Sequence, residues 1–157
     1  MSKDIQMLLA SVAACAQRID KLHYSLGKNR HLFPITADVI KSLSDEEAES
    51  VDALILRYSQ SVSMIQDQIF RSIAYVEQES LVDKSNRDKS LLMEKLGAIR
   101  SADEFGTAAV LRNKFSHHYP EENLEQIRRL NLLIKEADYV VLVFEYILDY
   151  LKRKGFM

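Results

Sequence analysis

Apolar residues recur at three- and four-residue intervals along most of this chain, the spacing of helices that each bury one face. Ile5, Leu8, Leu9, Val12, Ala16, Ile19 and Leu22 or His23 predict a first helix from about Asp4 to Ser25, with Gly27 as its stop. The region of Pro34 reads as a loop, with a short helical segment after Thr36. Ser44-Asp45-Glu46-Glu47 has the form of a capping box, in which the serine accepts from the third backbone amide and Glu47 reaches back. Behind it, Val51, Leu54, Ile55, Tyr58, Val62, Ile65, Ile69, Ile73 and Val76 predict a helix to roughly Glu79.

A polar stretch from Asp83 to Asp88 then reads as a connection. A shorter helix carries Leu91, Leu92 and Leu96 and ends at Gly97, whose missing side chain suits a left-handed terminator. Ser101-Ala102-Asp103-Glu104 is a second capping-box sequence and opens the next helix. Pro120 is expected in the first turn of the last helix, followed by Glu121 and Glu122 at the positive end of its dipole. Ile127, Leu130, Ile134, Ala137, Val141, Phe144, Leu148 and Leu151 extend that helix to about Arg153. The chain has only four glycines and two prolines, which favours long helices with few turns. The expected fold is all-α, an up-down bundle of four to five helices forming a single domain over residues 1–157.

Composition adds limits. Apolar residues make up 47% and charged residues 28%, the balance of a globular protein with a real core. The net charge of −2 gives no global positive field, so nucleic-acid binding has to rest on a local basic patch. The single Cys15 lies among alanines and reads as a small buried hydrophobe. An early acid at Asp4 and the lack of a cleavage-site arrangement argue against a signal peptide, and the greasiest run, Tyr139 to Phe144, is too short to span a bilayer. No membrane association and a cytoplasmic setting are expected.

The segment Arg112-Asn113-Lys114-Phe115-Ser116-His117-His118-Tyr119-Pro120 carries the chemistry. Imidazole exchanges protons near neutral pH, and guanidinium holds phosphate while staying charged. Together they suffice for metal-free RNA cleavage. His117 would serve as general base on the 2′-hydroxyl or as acid on the leaving 5′-oxygen. Arg112 would bind the scissile phosphate. Positions five apart lie about 140° round a helix, so Arg112 must bend back toward His117, whereas Asn113 shares a stripe with it. No cluster of acids and histidines has metal-ligand spacing, so neither a metal nor a cofactor is expected. His118 is a bystander or a dimer contact; His23 and His31 read as structural or solvent-facing. Lys84, Arg87, Lys89, Lys95 and Arg100 form a basic run whose default reading is a solvated surface and whose sharper reading is a contact to an RNA backbone.

Arg112, His117 and Tyr119 stand in the Arg-x4-His-x-Tyr order of HEPN-domain proteins, and the segment resembles in particular the HepT toxins paired with small nucleotidyltransferase antitoxins. The resemblance extends to Arg57-Tyr58, to Ile65 through Phe70 and to the approach from Leu92 to Phe105, covering roughly Val51 to Leu151. It implies a homodimeric HEPN-like bundle whose paired motifs line one cleft. It also implies a metal-independent endoribonuclease with Arg112 and His117 as catalytic residues and Asn113 in support. Tyr119 maps onto the tyrosine to which the partner nucleotidyltransferase transfers AMP, silencing the toxin. The implied partners are a second copy, the antitoxin and an RNA such as tRNA or mRNA. Asp67 matches a recurrent acid of the second helix with no assigned role. The alternative is a non-catalytic subunit that uses the same cleft to bind a nucleotide or to dock a nucleotidyltransferase.

Overall fold

A computed structural model describes residues 2–116 and 123–157. Among these residues the chain is helical, with no strand: α1 (Lys3–Asn29), α2 (Ala37–Ser42), α3 (Asp45–Met64), α4 (Phe70–Val76), α5 (Asn86–Leu96), α6 (Ala102–Lys114) and α7 (Leu124–Arg153). A π-helical turn over Ile65–Ile69 joins α3 to α4 without a break, so the described chain has six helical segments where four to five were expected. The short segment expected after Thr36 is α2, whose N-cap Thr36 accepts from the Val39 amide at 3.2 Å; counted as a helix of its own it makes the sixth.

One cluster of buried apolar side chains unites the long helices. α1 contributes Leu8, Val12, Cys15, Ile19, Leu22 and Leu26 and packs against α3, α4 and α7. α3 and α4 contribute Leu54, Tyr58, Val62, Phe70 and Ile73, and α7 contributes Leu133, Ala137, Val140, Phe144 and Ile147. Truncating one such leucine to alanine costs about 2–5 kcal/mol. Cys15 is fully buried as expected, and burial pushes its thiol up to about 12. No described helix is long and apolar enough to cross a membrane.

Local chemistry explains the shifted boundaries. α1 runs through Gly27 to Asn29, because glycine inside a helix costs only about 1 kcal/mol. Buried Leu26 offsets that cost, as does Asn29, whose amide donates to the carbonyls of Ser25 at 2.8 Å and of Ser50 on α3 at 3.1 Å. The Ser44–Glu47 capping box forms in both directions. At α4 the helical run stops at Val76, three residues before the expected Glu79, and Gln78 takes a positive φ. α5 starts inside the stretch expected as a connection, since Ser85 caps it by accepting from the Asp88 amide. Gly97 adopts φ 89° and ends α5 as expected.

The second capping box forms only by half. Ser101 accepts from Glu104, but the Glu104 carboxylate pairs with Arg100 instead, and Glu94 of α5 accepts from the Ala102 amide. α7 begins at Leu124 behind an Asn123 cap rather than at the proline; Pro120, Glu121 and Glu122 lie outside the described residues.

Candidate functional site

The second half of α6 is held from two sides. Tyr58 of α3, fully buried, donates its hydroxyl to the Ala108 carbonyl at 2.6 Å and meets the Phe115 ring edge-on at 6.4 Å between centroids. Desolvation holds the Tyr58 hydroxyl well above its ordinary pKa, which keeps it a donor. From α7, buried Arg129 donates to the Lys114 carbonyl at 3.1 Å, one of the acceptors that a helix end leaves without an internal partner.

This frame sets Arg112. Its half-buried guanidinium turns onto α3 and the π-helical turn rather than along its own helix. Nη1 donates to Ser63 Oγ at 3.0 Å and Nη2 to Gln66 Oε1 at 3.1 Å. Asn113 Oδ1 accepts from Nε at 3.2 Å and from Nη2 at 3.0 Å. Among the described residues these bonds use four of the guanidinium's five N–H groups and leave one on Nη1. All three partners are neutral, and no carboxylate pairs with Arg112 among the described residues. Among the described residues the charge is thus oriented without being neutralised.

Arg112, Asn113, Phe115 and Ser116 face Asp52, Ile55, Leu56 and Ser59 of α3 across an open cavity of about 420 Å³. Ser116 Oγ donates to the Asn113 carbonyl at 2.6 Å at its edge. The structure thus brings together Arg112 and Asn113 of the predicted site. His117, His118 and Tyr119 lie outside the described residues. Asp67 is exposed on the π-helical turn and makes no ion pair among the described residues.

Other candidates resolve into ordinary roles. Arg87 pairs with Asp103 at 2.6 Å and Arg100 with Glu104 at 2.9 Å, so part of the basic run is neutralised at the surface. Arg57 is also held by neutral groups, Ser25 Oγ and the Lys21 carbonyl, and lies over the Tyr24 ring; its bonds tie α3 to α1. His23 is exposed, and exposed His31 lies 4.0 Å from the Glu47 carboxylate. Among the described residues no group of three or more His, Cys, Asp or Glu side chains could hold a metal ion.

Sequence reading missed three residues here. Ser63 and Gln66 hold Arg112, and Gln66 is only 2% exposed. Its one signal was a buried-face position between Ile65 and Ile69 occupied by an amide. Glu136 of α7 is the third. It is buried, lines a groove between α6 and α7, and makes no hydrogen bond or ion pair among the described residues. Burial raises its carboxyl above the ordinary range, and neighbouring Lys135 only partly opposes this.

Compared with models of protein families, with curated proteins and with solved structures, the chain matches none.

Proposed function

We propose that this chain is a HEPN-type ribonuclease toxin that cuts RNA without a metal. Its helices form an up-down HEPN-like bundle, and two copies bring their Arg-x4-His-x-Tyr segments to one cleft. The observation that carries the reading is Arg112, a positive charge fixed by three neutral acceptors on the wall of an open cavity. That is a fitting place for a phosphate, because the acceptors that hold the guanidinium are neutral and leave its charge to an anion, with the Asp52 carboxylate across the cavity rather than in the cradle. The chain leads from there directly into His117 and Tyr119.

His117 takes the proton of the 2′-hydroxyl as its oxygen attacks phosphorus. The bond to the 5′-oxygen breaks, and that oxygen takes a proton from the second copy's histidine. The products are a 2′,3′-cyclic phosphate and a 5′-hydroxyl. Arg112 stabilises the charge gathering on the phosphoryl oxygens. Asn113 keeps the guanidinium plane fixed. AMP transferred to Tyr119 by a nucleotidyltransferase antitoxin would add an anion and bulk two residues from His117, excluding RNA.

One feature favours a second reading, a nucleotide-binding or nucleotidyltransferase-docking subunit without catalysis. Among the described residues the bonds to Arg112 leave it a single N–H, enough to anchor a phosphate but short of a bidentate clamp. Cleavage of a labelled tRNA pool with EDTA present, by wild type and by His117→Ala, separates the two. Cutting that disappears in the variant supports the nuclease. Equal background from both proteins overturns it.

A further inference from the structure

Arg57 is fixed, like Arg112, by neutral acceptors. It lies half-buried on the seam between α3 and α1, where Nη1 donates to Ser25 Oγ at 2.9 Å and to the Lys21 carbonyl at 3.3 Å. Both bonds that tie the helices come from this one nitrogen. Among the described residues Nε and Nη2 carry no hydrogen bond, and Arg57 makes no ion pair. Those two nitrogens form the edge of a guanidinium that grips a phosphate with two parallel bonds. The same guanidinium lies 5.9 Å from the centroid of the Tyr24 ring, and Tyr24 is 63% exposed. A ring with a cation on one side and solvent on the other offers a face to a flat ligand.

The surroundings are basic. Lys21 and Lys28 are exposed and make no ion pair among the described residues. Helical spacing sets them within about 60° of Ser25 round α1, on the side turned to Arg57. Asp20 of α1 lies about 140° round from Ser25, and Asp52 of α3 about 140° round from Arg57.

We propose that the seam of α1 and α3 is a second subsite for single-stranded RNA, in which Arg57 grips a backbone phosphate and a base stacks on Tyr24. The proposal rests on RNA being a ligand of this chain, and it holds whether or not cleavage follows. A duplex keeps its bases stacked on one another, so only an unpaired strand can offer one to the tyrosine. Every base has a π-face, so the subsite takes a strand of any sequence. Arg57 and Ser63, the serine that holds Arg112, are about 9 Å apart along α3 and about 120° round it. A strand joining the two arginines crosses the face of α3 that carries Gln60 and Leu56, which is 56% exposed.

The test is fluorescence anisotropy of a labelled single-stranded RNA, with His117→Ala as the background so that the strand stays intact. Tyr24→Ala should weaken binding about fivefold or more, while Tyr24→Phe stays within about twofold. Arg57→Gln should lower the slope of log affinity against log salt by about 0.7, and Tyr24→Ala should leave the slope unchanged. Melting of Arg57→Gln is followed because Arg57 also ties two helices; Tyr24 is exposed, so its variants carry the test if that one unfolds. Unchanged affinity in Tyr24→Ala, equal losses in Tyr24→Ala and Tyr24→Phe, or an unchanged slope in folded Arg57→Gln overturns the proposal. So does a duplex of the same sequence bound as tightly as the strand. Anionic phospholipid vesicles bound with the same dependence on Tyr24, and RNA without it, would assign the seam to a membrane surface instead. Cleavage reports separately: RNA cut by wild type with binding indifferent to Tyr24 sinks the subsite alone, and binding that follows Tyr24 without any cutting sinks the nuclease alone.

Discussion

Arg30 and Arg112 each close a helix end onto another helix, yet they do so with opposite electrostatics. Arg30, the C-cap of α1, gives both terminal nitrogens to Asp138 of α7, with Nη1 at 3.0 Å from one carboxylate oxygen. Both side chains are about half exposed, 48% and 45%. Arg112 meets a serine and two amides instead. The carboxylate cancels the charge that it positions; the neutral cradle positions a charge and leaves it available. Fixation and neutralisation are therefore separable, and a site for an anion needs the first without the second.

The largest effect should come from removing the charge that is left available. Arg112→Ala should lower metal-free RNA cleavage by about 10²–10³-fold, the scale of losing one transition-state donor. The same change strands the Gln66 amide, so melting must be followed alongside. Arg112→Lys keeps the charge but not the planar fork. It should retain RNA binding and recover little of the rate. Cleavage by Arg112→Ala at the wild-type rate would remove the distinction between the two arginines altogether.

Next is the cradle itself. Gln66→Leu keeps the volume and the charge of Arg112 but removes one of the two acceptors that hold Nη2. Misplacement of a positioned group by about 1 Å can cost up to about 100-fold in rate. Single-turnover cleavage should fall toward that limit with RNA affinity nearly unchanged. A loss confined to affinity would mean that the cradle only anchors the charge and does not aim it.

Much of this frame was legible in advance, and the rest was not, for identifiable reasons. Capping chemistry is local, so Ser44 with Glu47 and Gly97 stand where the pattern put them. The failures occur where a distant partner decides. Gly27 is passed because Asn29 finds the Ser50 carbonyl on another helix, and Glu104 leaves its own cap for Arg100. The motif arginine was recognisable, but its direction was not. That depends on Ser63 and Gln66, 49 and 46 positions away. The π-helical turn that presents Gln66 is invisible to a search for α periodicity, because its apolar residues still fall on the buried face.

Glu136 is the inverse of Arg112, a buried carboxyl that makes no ion pair among the described residues, and it sharpens the comparison through pH. Burial raises its folded-state pKa above the unfolded value of about 4.3. Below that value both states carry the proton and no penalty appears. As pH rises further the unfolded chain ionises first, so stability falls until the folded carboxyl ionises too, and then levels. Glu136→Gln should therefore melt higher than wild type at pH 7.5 and close to it at pH 4. A variant no more stable at pH 7.5 would mean that the groove between α6 and α7 solvates the carboxylate.

The smallest effect belongs to Arg30. Its ion pair with Asp138 is exposed, and such pairs contribute about 0–1 kcal/mol. For a chain of this length that is a shift of a few degrees in melting temperature at most, about 2–4 °C per kcal/mol. Arg30→Ala should stay within that range, and added salt should shrink the difference further, since screening weakens the pair before the mutation removes it. RNA cleavage should stay within twofold of wild type at any salt concentration. A large loss of cleavage in Arg30→Ala would show that neutralised arginines also serve the substrate, and pairing with a carboxylate could then no longer be used to tell a structural arginine from a functional one.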